Sequence, residues 1–109
     1  MPWRVEFVSE AAAQEVDGLA VDVRARFLRI AERIEAMGLP NVGEPRVKHL
    51  KGKLWEMRMT GRDGIARSIY VAATGQRVVV LHSFVKKSQK TPLAALTLAT
   101  ERAKKAGLL

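Results

Sequence analysis

Hydrophobic and polar residues repeat with two different periods in the N-terminal part of the chain. Residues 3–8 alternate apolar and polar side chains, and this period of two predicts a half-buried strand. Ser9 predicts the N-cap of a short helix that runs to about residue 19. Asp22 predicts the N-cap of a second helix, which Gly38 and Pro40 end. The apolar residues of this helix recur at steps of four and three: Val23, Phe27, Ile30, Ile34 and Met37.

Three apolar segments joined by short turns follow in the second half of the chain. They are residues 54–60, 65–73 and 76–84, and each predicts a strand. The turns, residues 61–64 and 74–75, contain glycine and are short enough only for antiparallel neighbours. Residues 41–53, in contrast, predict a loop with at most one extended piece.

A closing helix is predicted from residue 91 to residue 107. Thr91 is the expected N-cap and Pro92 the expected first helical residue. The apolar stripe of this helix is mostly small, which suits close packing on a sheet: Leu96, Ala99, Ala103 and Ala106. The pattern therefore predicts one α+β domain over residues 1–109. Its small antiparallel sheet has three to four strands, and the two N-terminal helices and one C-terminal helix pack on one of its faces.

Period two also predicts which side chains share a face of the sheet. Glu56, Arg58 and Thr60 should be exposed, because Trp55, Met57 and Met59 on the opposite side look like core. Arg67 shares its face with Ile69, whereas Tyr70 lies opposite. His82 and Phe84 share a face with Val78 and Val80. An ordinary surface ion pair explains Glu56 and Arg58 equally well, and a lone histidine is more often packed than catalytic.

Positive charge is concentrated in the middle of the chain. Residues 44–90 hold eleven basic and three acidic side chains, a net of +8 that equals the formal net charge of the whole protein. Such a patch predicts a polyanionic partner, most economically nucleic acid. Anionic membranes are disfavoured, because these residues fall on predicted strands and loops rather than on an amphipathic helix.

Cysteine is absent and histidine is scarce. The lack of cysteine excludes disulfides and thiolate zinc sites and fits a reducing compartment, while two histidines are weak support for any metal. No apolar stretch approaches membrane-spanning length, and the N-terminus does not look like a secretory signal. We therefore expect a cytoplasmic protein without a metal or other cofactor.

The segment from residue 82 to residue 92 carries the most distinctive chemistry. It connects an apolar strand to a helix start through Lys86, Lys87 and Lys90. Unpaired N–H groups and the positive end of the helix dipole favour phosphate there, so the segment is a candidate anion site. A solvated basic loop is the alternative.

Three blocks of sequence resemble a known family. They are KHLKGKLWEMR at residues 48–58, ARSIY at residues 66–70 and HSFVKKSQKTP at residues 82–92. Together with the order of elements they resemble the RelE/ParE toxin superfamily, in particular its phage-derived, HigB-like branch. The resemblance covers nearly the whole chain, and the last block is its most specific part.

The resemblance implies a type II toxin. Such a toxin is a metal-independent endoribonuclease that cuts mRNA on the ribosome and is held inactive by a cognate helix-turn-helix, HigA-like antitoxin. It implies that Arg58 and Arg67 hold and activate the scissile phosphate. Lys86 or Lys87 supplies the basic position after the last strand, and Glu56 assists proton transfer. The closing helix has no Tyr, Phe, Trp or His, so the aromatic or histidine that some relatives use there has no equivalent.

The site hypothesis follows from the side-chain chemistry and this resemblance. Arginine stays protonated and suits only charge stabilisation, so either Glu56 or His82 is the expected base and a lysine the expected acid. The predicted catalytic residues are Arg58, Arg67, Lys86, Glu56 and His82. The predicted RNA-binding residues are Lys48, Lys51, Lys53, Tyr70, Lys87, Gln89 and Lys90. Two other functions stay open: a ParE-like inhibitor of DNA gyrase, and an RNA-binding module without catalysis.

Overall fold

The computed structural model describes residues 2–42, 47–62, 64–86 and 91–109. Within these ranges the elements are, in chain order, β1 (Arg4–Phe7), α1 (Glu10–Asp17), α2 (Val21–Met37), β2 (Val47–Lys51), β3 (Leu54–Gly61), β4 (Gly64–Ala73), β5 (Arg77–Lys86) and α3 (Leu93–Lys105). A short 3₁₀ turn, Leu39–Asn41, follows α2. The predicted order of elements is confirmed, with one strand added.

The described strands form one mixed sheet in the order β1-β5-β4-β3-β2. β1 pairs with β5 in parallel, and every other pair is antiparallel. The expectation of three to four antiparallel strands was therefore wrong in number and in the direction of β1, whereas the antiparallel arrangement of β3, β4 and β5 is confirmed. The added strand is β2, which the sequence suggested was mainly loop. Three of its five residues, Lys48, His49 and Lys51, are polar and exposed, so it has little hydrophobic pattern of its own.

The helices pack on both faces of the sheet, not on one as the sequence analysis expected. Val23, Phe27, Ile30 and Ile34 of α2 join a core cluster with Met57, Met59, Tyr70 and Val78. Ala95, Ala99 and Ala103 of α3 join a second cluster with Leu54, Ile69, Val71 and Val79. We call these two sides of the sheet the α2 face and the α3 face. Residues 69–71 of β4 and 78–81 of β5 are apolar on both sides because both sides are covered there.

One of the three predicted helix caps is present. Ser9 Oγ accepts a hydrogen bond from the Ala12 N–H at 3.2 Å, as predicted for α1. Thr91 is not a cap: Pro92 is the N-cap of α3, and the Thr91 hydroxyl donates to Glu56 instead. Asp22 is not a cap either, because it lies inside α2, whose N-cap is Ala20.

Asp22 instead ties α2 to the β3–β4 hairpin. Its Oδ2 accepts the Arg62 backbone N–H at 2.6 Å, and this bond holds the pKa of Asp22 below its ordinary value. The neighbouring Gly61 lies so close to α2 that a Cβ atom there would collide with the side chains of Val23 and Asp22. The hairpin turn thus needs glycine for close approach to the helix.

β5 contains a bulge that reverses the predicted faces of its last residues. Tyr70 pairs with Val80 and Ile69 with His82, so Leu81 is an extra residue on β5. Leu81 and Phe84 both pack into the cluster of the α3 face, although period two would separate them. His82 and Phe84 are therefore on the α3 face, not with Val78 and Val80 as expected.

Trp55 also departs from expectation. It is 38% exposed rather than committed to the core. Its ring lies 4.9 Å from that of His49, the residue opposite on β2. Among the described residues, no helix has the length and apolar character needed to cross a membrane.

Candidate active site

The register of the three central strands brings the predicted catalytic residues together on the α3 face. Arg58, Arg67 and Phe84 form one cross-strand row over β3, β4 and β5. Glu56, Ile69 and His82 form the next row, which Lys48 of β2 extends opposite Glu56. Lys86 ends β5 opposite Ile65. The residues of these two adjacent rows are up to 36 positions apart in the chain.

Glu56 is the centre of this group, and it is fully buried. Its Oε1 accepts a hydrogen bond from Arg67 Nη1 at 2.5 Å and lies 3.9 Å from Arg58 Nε. Its Oε2 accepts a hydrogen bond from the Thr91 hydroxyl at 3.1 Å. The expectation that Glu56 is exposed was wrong, because two guanidinium groups and the start of α3 cover it.

This burial changes what Glu56 is able to do. A buried carboxylate with both oxygens engaged is poorly placed to accept a proton from a substrate, whereas it fixes the positions of the guanidinium groups beside it. Losing one partner of such a buried pair is costly, since the other charge remains buried and unpaired. Glu56 is therefore better suited to position the two arginines than to act as a general base.

The two arginines differ in their access to solvent. The Arg67 side chain is 5% exposed, whereas that of Arg58 is 34% exposed. A guanidinium carries five N–H donors, and among the described residues the Nε of each arginine is buried without a hydrogen-bond partner. The two guanidinium groups come from residues paired across β3 and β4, and one carboxylate contacts both. Because each keeps N–H donors that this carboxylate does not use, the pair forms a suitable site for a phosphate.

His82 is held by a second carboxylate, Glu15 of α1. Glu15 Oε1 lies 3.0 Å from His82 Nδ1, accepts the Ser83 backbone N–H at 3.1 Å and accepts Arg102 Nη1 at 3.0 Å. Arg102 Nη1 also donates to the Leu81 carbonyl at 2.9 Å, so the bulge itself is bound to α3. The carboxylate orients the imidazole through Nδ1, which leaves Nε2 as the nitrogen for other chemistry.

The hydrogen bonds around Glu15 predict a dependence of stability on pH. Burial opposes its ionisation, but hydrogen bonds from Arg102, His82 and Ser83 outweigh burial, and the pKa of Glu15 lies below its ordinary value of 4.5. Its contribution to stability is therefore complete above pH 4.5 and is lost as the pH falls below that value toward the folded-state pKa.

We expect the chain to lose more stability than a Glu15→Gln variant when the pH is lowered from 7 to about 3. The free energy of unfolding in urea, measured across this range, tests the expectation. Glu10→Gln, an exposed change on the same helix, is the control and should follow the unchanged chain. If the free energy of unfolding falls equally with pH in Glu15→Gln and in the unchanged chain, the stabilising role assigned to the Glu15 carboxylate is contradicted.

The predicted RNA-binding residues are more scattered. Lys48 is exposed beside Glu56, whereas Lys51 and Lys53 flank the β2–β3 turn, at the end of β3 that α3 covers. Tyr70 is 1% exposed on the α2 face, away from the arginine row, and burial raises its pKa. Lys87, Gln89 and Lys90 lie outside the described residues.

Sequence reasoning missed the residues that position the site. Thr91 was assigned to a helix cap, and neither Glu15 nor Arg102 was predicted to be a site residue. Their contacts join residues that are 35, 67 and 87 positions apart, and no local pattern reports such pairs. In the part of the chain that the structure describes, no group of three or more His, Asp or Glu side chains converges as metal ligands would.

Comparisons with known proteins identify a family and a fold for this chain. Residues 14–104 match the family described as "Phage derived protein Gp49-like (DUF891)". Curated protein sequences gave no match. The chain is similar to a free-state arginine mutant of the E. coli toxin RelE, with 20% identity, 94% of this chain and 98% of that chain covered, and a TM-score of 0.64. It is also similar to a chain of the archaeal RelE–RelB complex from Pyrococcus horikoshii, with 21% identity, coverages of 78% and 96%, and a TM-score of 0.60. These likenesses establish a RelE-like α+β fold.

Proposed function

The chain belongs to the Gp49-like family of phage derived proteins, and from that premise we propose that it is a type II toxin that cuts mRNA on the ribosome. The observation that carries the proposal is the pair Arg58 and Arg67, which the Glu56 carboxylate holds in place. His82 lies in the next row, where the Glu15 carboxylate orients it. We propose that residues 1–109 act as one domain and that it works in the cytoplasm, where ribosomes and mRNA meet.

The reaction we propose is transfer of the RNA phosphate to the neighbouring 2′-oxygen. The 2′-oxygen forms a bond to phosphorus, the bond from phosphorus to the 5′-oxygen breaks, and a cyclic phosphate and a 5′-hydroxyl result. This chemistry needs a base for the 2′-proton, an acid for the 5′-oxygen and positive charge against the phosphorane. Arg58 and Arg67 supply the positive charge.

His82 is the base in this proposal. It is a diagonal cross-strand neighbour of Arg67, with the two residues roughly 7–8 Å apart, so both can reach one phosphodiester. Because Glu15 engages Nδ1, Nε2 takes the proton. Lys48 or Lys86 protonates the leaving oxygen. We expect slow cleavage of free RNA, since no described contact positions Lys48 and the ribosome supplies the missing orientation of the substrate.

We propose that a cognate antitoxin neutralises this protein. A chain of the RelE–RelB complex with the same fold supports an antitoxin of some kind. The HigA-like, helix-turn-helix identity rests on the sequence resemblance described above. The antitoxin's most direct route is to cover the partly exposed Arg58, because Arg58 is the more accessible of the two arginines.

Mapping of new mRNA ends in a translating extract tests the function. We expect the purified chain to create 5′ ends within codons, and the same RNA without ribosomes to stay largely intact. Lys104→Ala, an exposed change in the last turn of α3, is the control that should cut normally. Undisturbed translation without new ends would contradict the proposal and lead to an assay of gyrase supercoiling. Salt-sensitive RNA binding without new ends would instead indicate an RNA-binding module.

A further inference from the structure

Four arginines surround a pocket of about 420 Å³ at the edge of the sheet. Arg26, Arg29 and Arg33 come from α2, and Arg58 comes from β3. The other described lining residues are Ile30, Thr60 and Ile65, so none of the described residues that line the pocket is acidic. The pocket lies beside β3, where the described pairing with β2 reaches Met57 and where Arg58 and Thr60 follow.

The charges of α2 are segregated around the helix. The three arginines recur at steps of three and four and share one side of α2, toward β3. Glu35 lies toward β1, where it accepts the Val5 N–H at 3.1 Å. In the described part of the chain, no carboxylate lies within 4 Å of these three guanidinium groups. Asp22 at the start of α2 is engaged by the Arg62 N–H.

This arrangement differs from what the sequence suggests for α2. Arginine and glutamate are mixed along the helix, a pattern more typical of a solvated or protein-binding surface than of a nucleic-acid groove. Folding directs Glu35 toward β1, and none of the described residues that line the pocket is acidic. The side of α2 that lines the pocket is therefore basic.

Arg58 connects this surface to the candidate active site. Its Nε lies 3.9 Å from Glu56, and the same side chain lines the pocket. A phosphate bound by Arg58 and Arg67 is thus followed directly by three further guanidinium groups. Arg26 and Arg33 are separated by about 10.5 Å along the helix axis, which gives room for more than one phosphate.

We propose that Arg26, Arg29 and Arg33 bind backbone phosphates of the RNA strand next to the bond that is cut. The inference rests on the proposed ribonuclease function and adds a path for the strand, from the α3 face around the edge of β3 to α2. Arginine suits this role, because it binds phosphate oxygens in pairs and its planar group stacks on bases. Ile30 and Ile65 add an apolar surface for a base or ribose.

Binding of a short single-stranded RNA without ribosomes tests the path independently of cleavage. We compare an Arg26→Ala/Arg29→Ala/Arg33→Ala variant with a control that loses the same charge elsewhere. The control is an Arg4→Ala/Arg24→Ala/Lys104→Ala variant. Arg24 lies on α2 itself, where its side chain donates to the Asp17 carbonyl. Fluorescence anisotropy at several salt concentrations gives the affinity and its salt dependence. Circular dichroism and thermal unfolding establish that both variants are folded.

The first variant should bind RNA at least about tenfold more weakly, and its slope of log K against log salt should fall by about 2, because each single-strand phosphate contact contributes about 0.7. The control should change both by much less. Equal losses in the two variants, or no measurable RNA binding by the unchanged chain at low salt, would overturn the inference. If neither the unchanged chain nor the two variants cut mRNA, and only the first variant loses RNA affinity, the ribonuclease proposal fails. The proposal that Arg26, Arg29 and Arg33 bind RNA phosphates then stands. An acidic peptide that is sensitive to these arginines while RNA is not would also overturn it.

Discussion

Replacing Arg67 with alanine should destabilise the protein by about 3–5 kcal/mol, because it leaves Glu56 buried without its closest partner. Arg58 cannot compensate fully, since its Nε is 3.9 Å from the carboxylate. Urea denaturation of the purified variant gives the loss in free energy of unfolding. For this reason Arg67→Ala is a poor test of catalysis, because loss of activity would follow from loss of structure.

A double variant separates the charge from the packing. In Glu56→Leu/Arg67→Met the buried charges are replaced together by apolar side chains of similar size, and most of the lost stability should return. Thr91 is partly exposed, so water can replace its bond to Glu56. A loss below about 1 kcal/mol for Arg67→Ala alone would show that the pair is not what holds this part of the sheet together.

Arg58→Ala should lower the rate of mRNA cleavage on the ribosome about 10²- to 10³-fold while leaving the fold intact. The reason is that Arg58 is 34% exposed and reaches the site surface, whereas its only close described carboxylate retains Arg67 and Thr91. Single-turnover cleavage with saturating toxin measures the chemical step. The loss should persist under saturation, since the positive charge acts on the phosphorane and not only on binding.

Arg58→Lys and Lys104→Ala complete this experiment. Lysine keeps the charge but not the paired donors, so it should recover only part of the rate. Lys104→Ala should cut at the normal rate. If Arg58→Ala were to cut as fast as the unchanged chain, the arginine row would have no part in catalysis, and the phosphate would have to be held elsewhere.

The sequence predicted the elements well where hydrophobic period and turn chemistry agree. The β3–β4–β5 meander, α2 and the Ser9 cap are confirmed by the structure. β2 was expected only as one extended piece of a loop, because an edge strand rich in polar residues has little amphipathic pattern, although its backbone pairs with β3. The direction of β1 could not be predicted either, because its parallel pairing with β5 depends on the topology of the whole sheet and not on local propensity.

In the candidate site, too, local periodicity predicted part of the arrangement, and contacts between distant residues determined the rest. Placing Arg58 with Glu56, and Arg67 with Ile69, on their faces needed only a period of two. His82 was assigned to the wrong face, since a single extra residue at Leu81 reverses the count and leaves no signal in the composition. The burial of Glu56 depends on Thr91, 35 residues later, and on a helix that the sequence placed on the wrong side of the sheet.

The parallel pairing of β1 with β5 has a consequence for synthesis of the protein. Arg4 lies opposite Arg77, so the first strand has no partner until the chain has grown past its last strand. α3 and the Thr91 contact to Glu56 follow even later in the chain. The candidate active site is thus completed only after residue 91 has been synthesised, and a nascent chain that ends before it lacks the Thr91 contact to the carboxylate that organises the arginines.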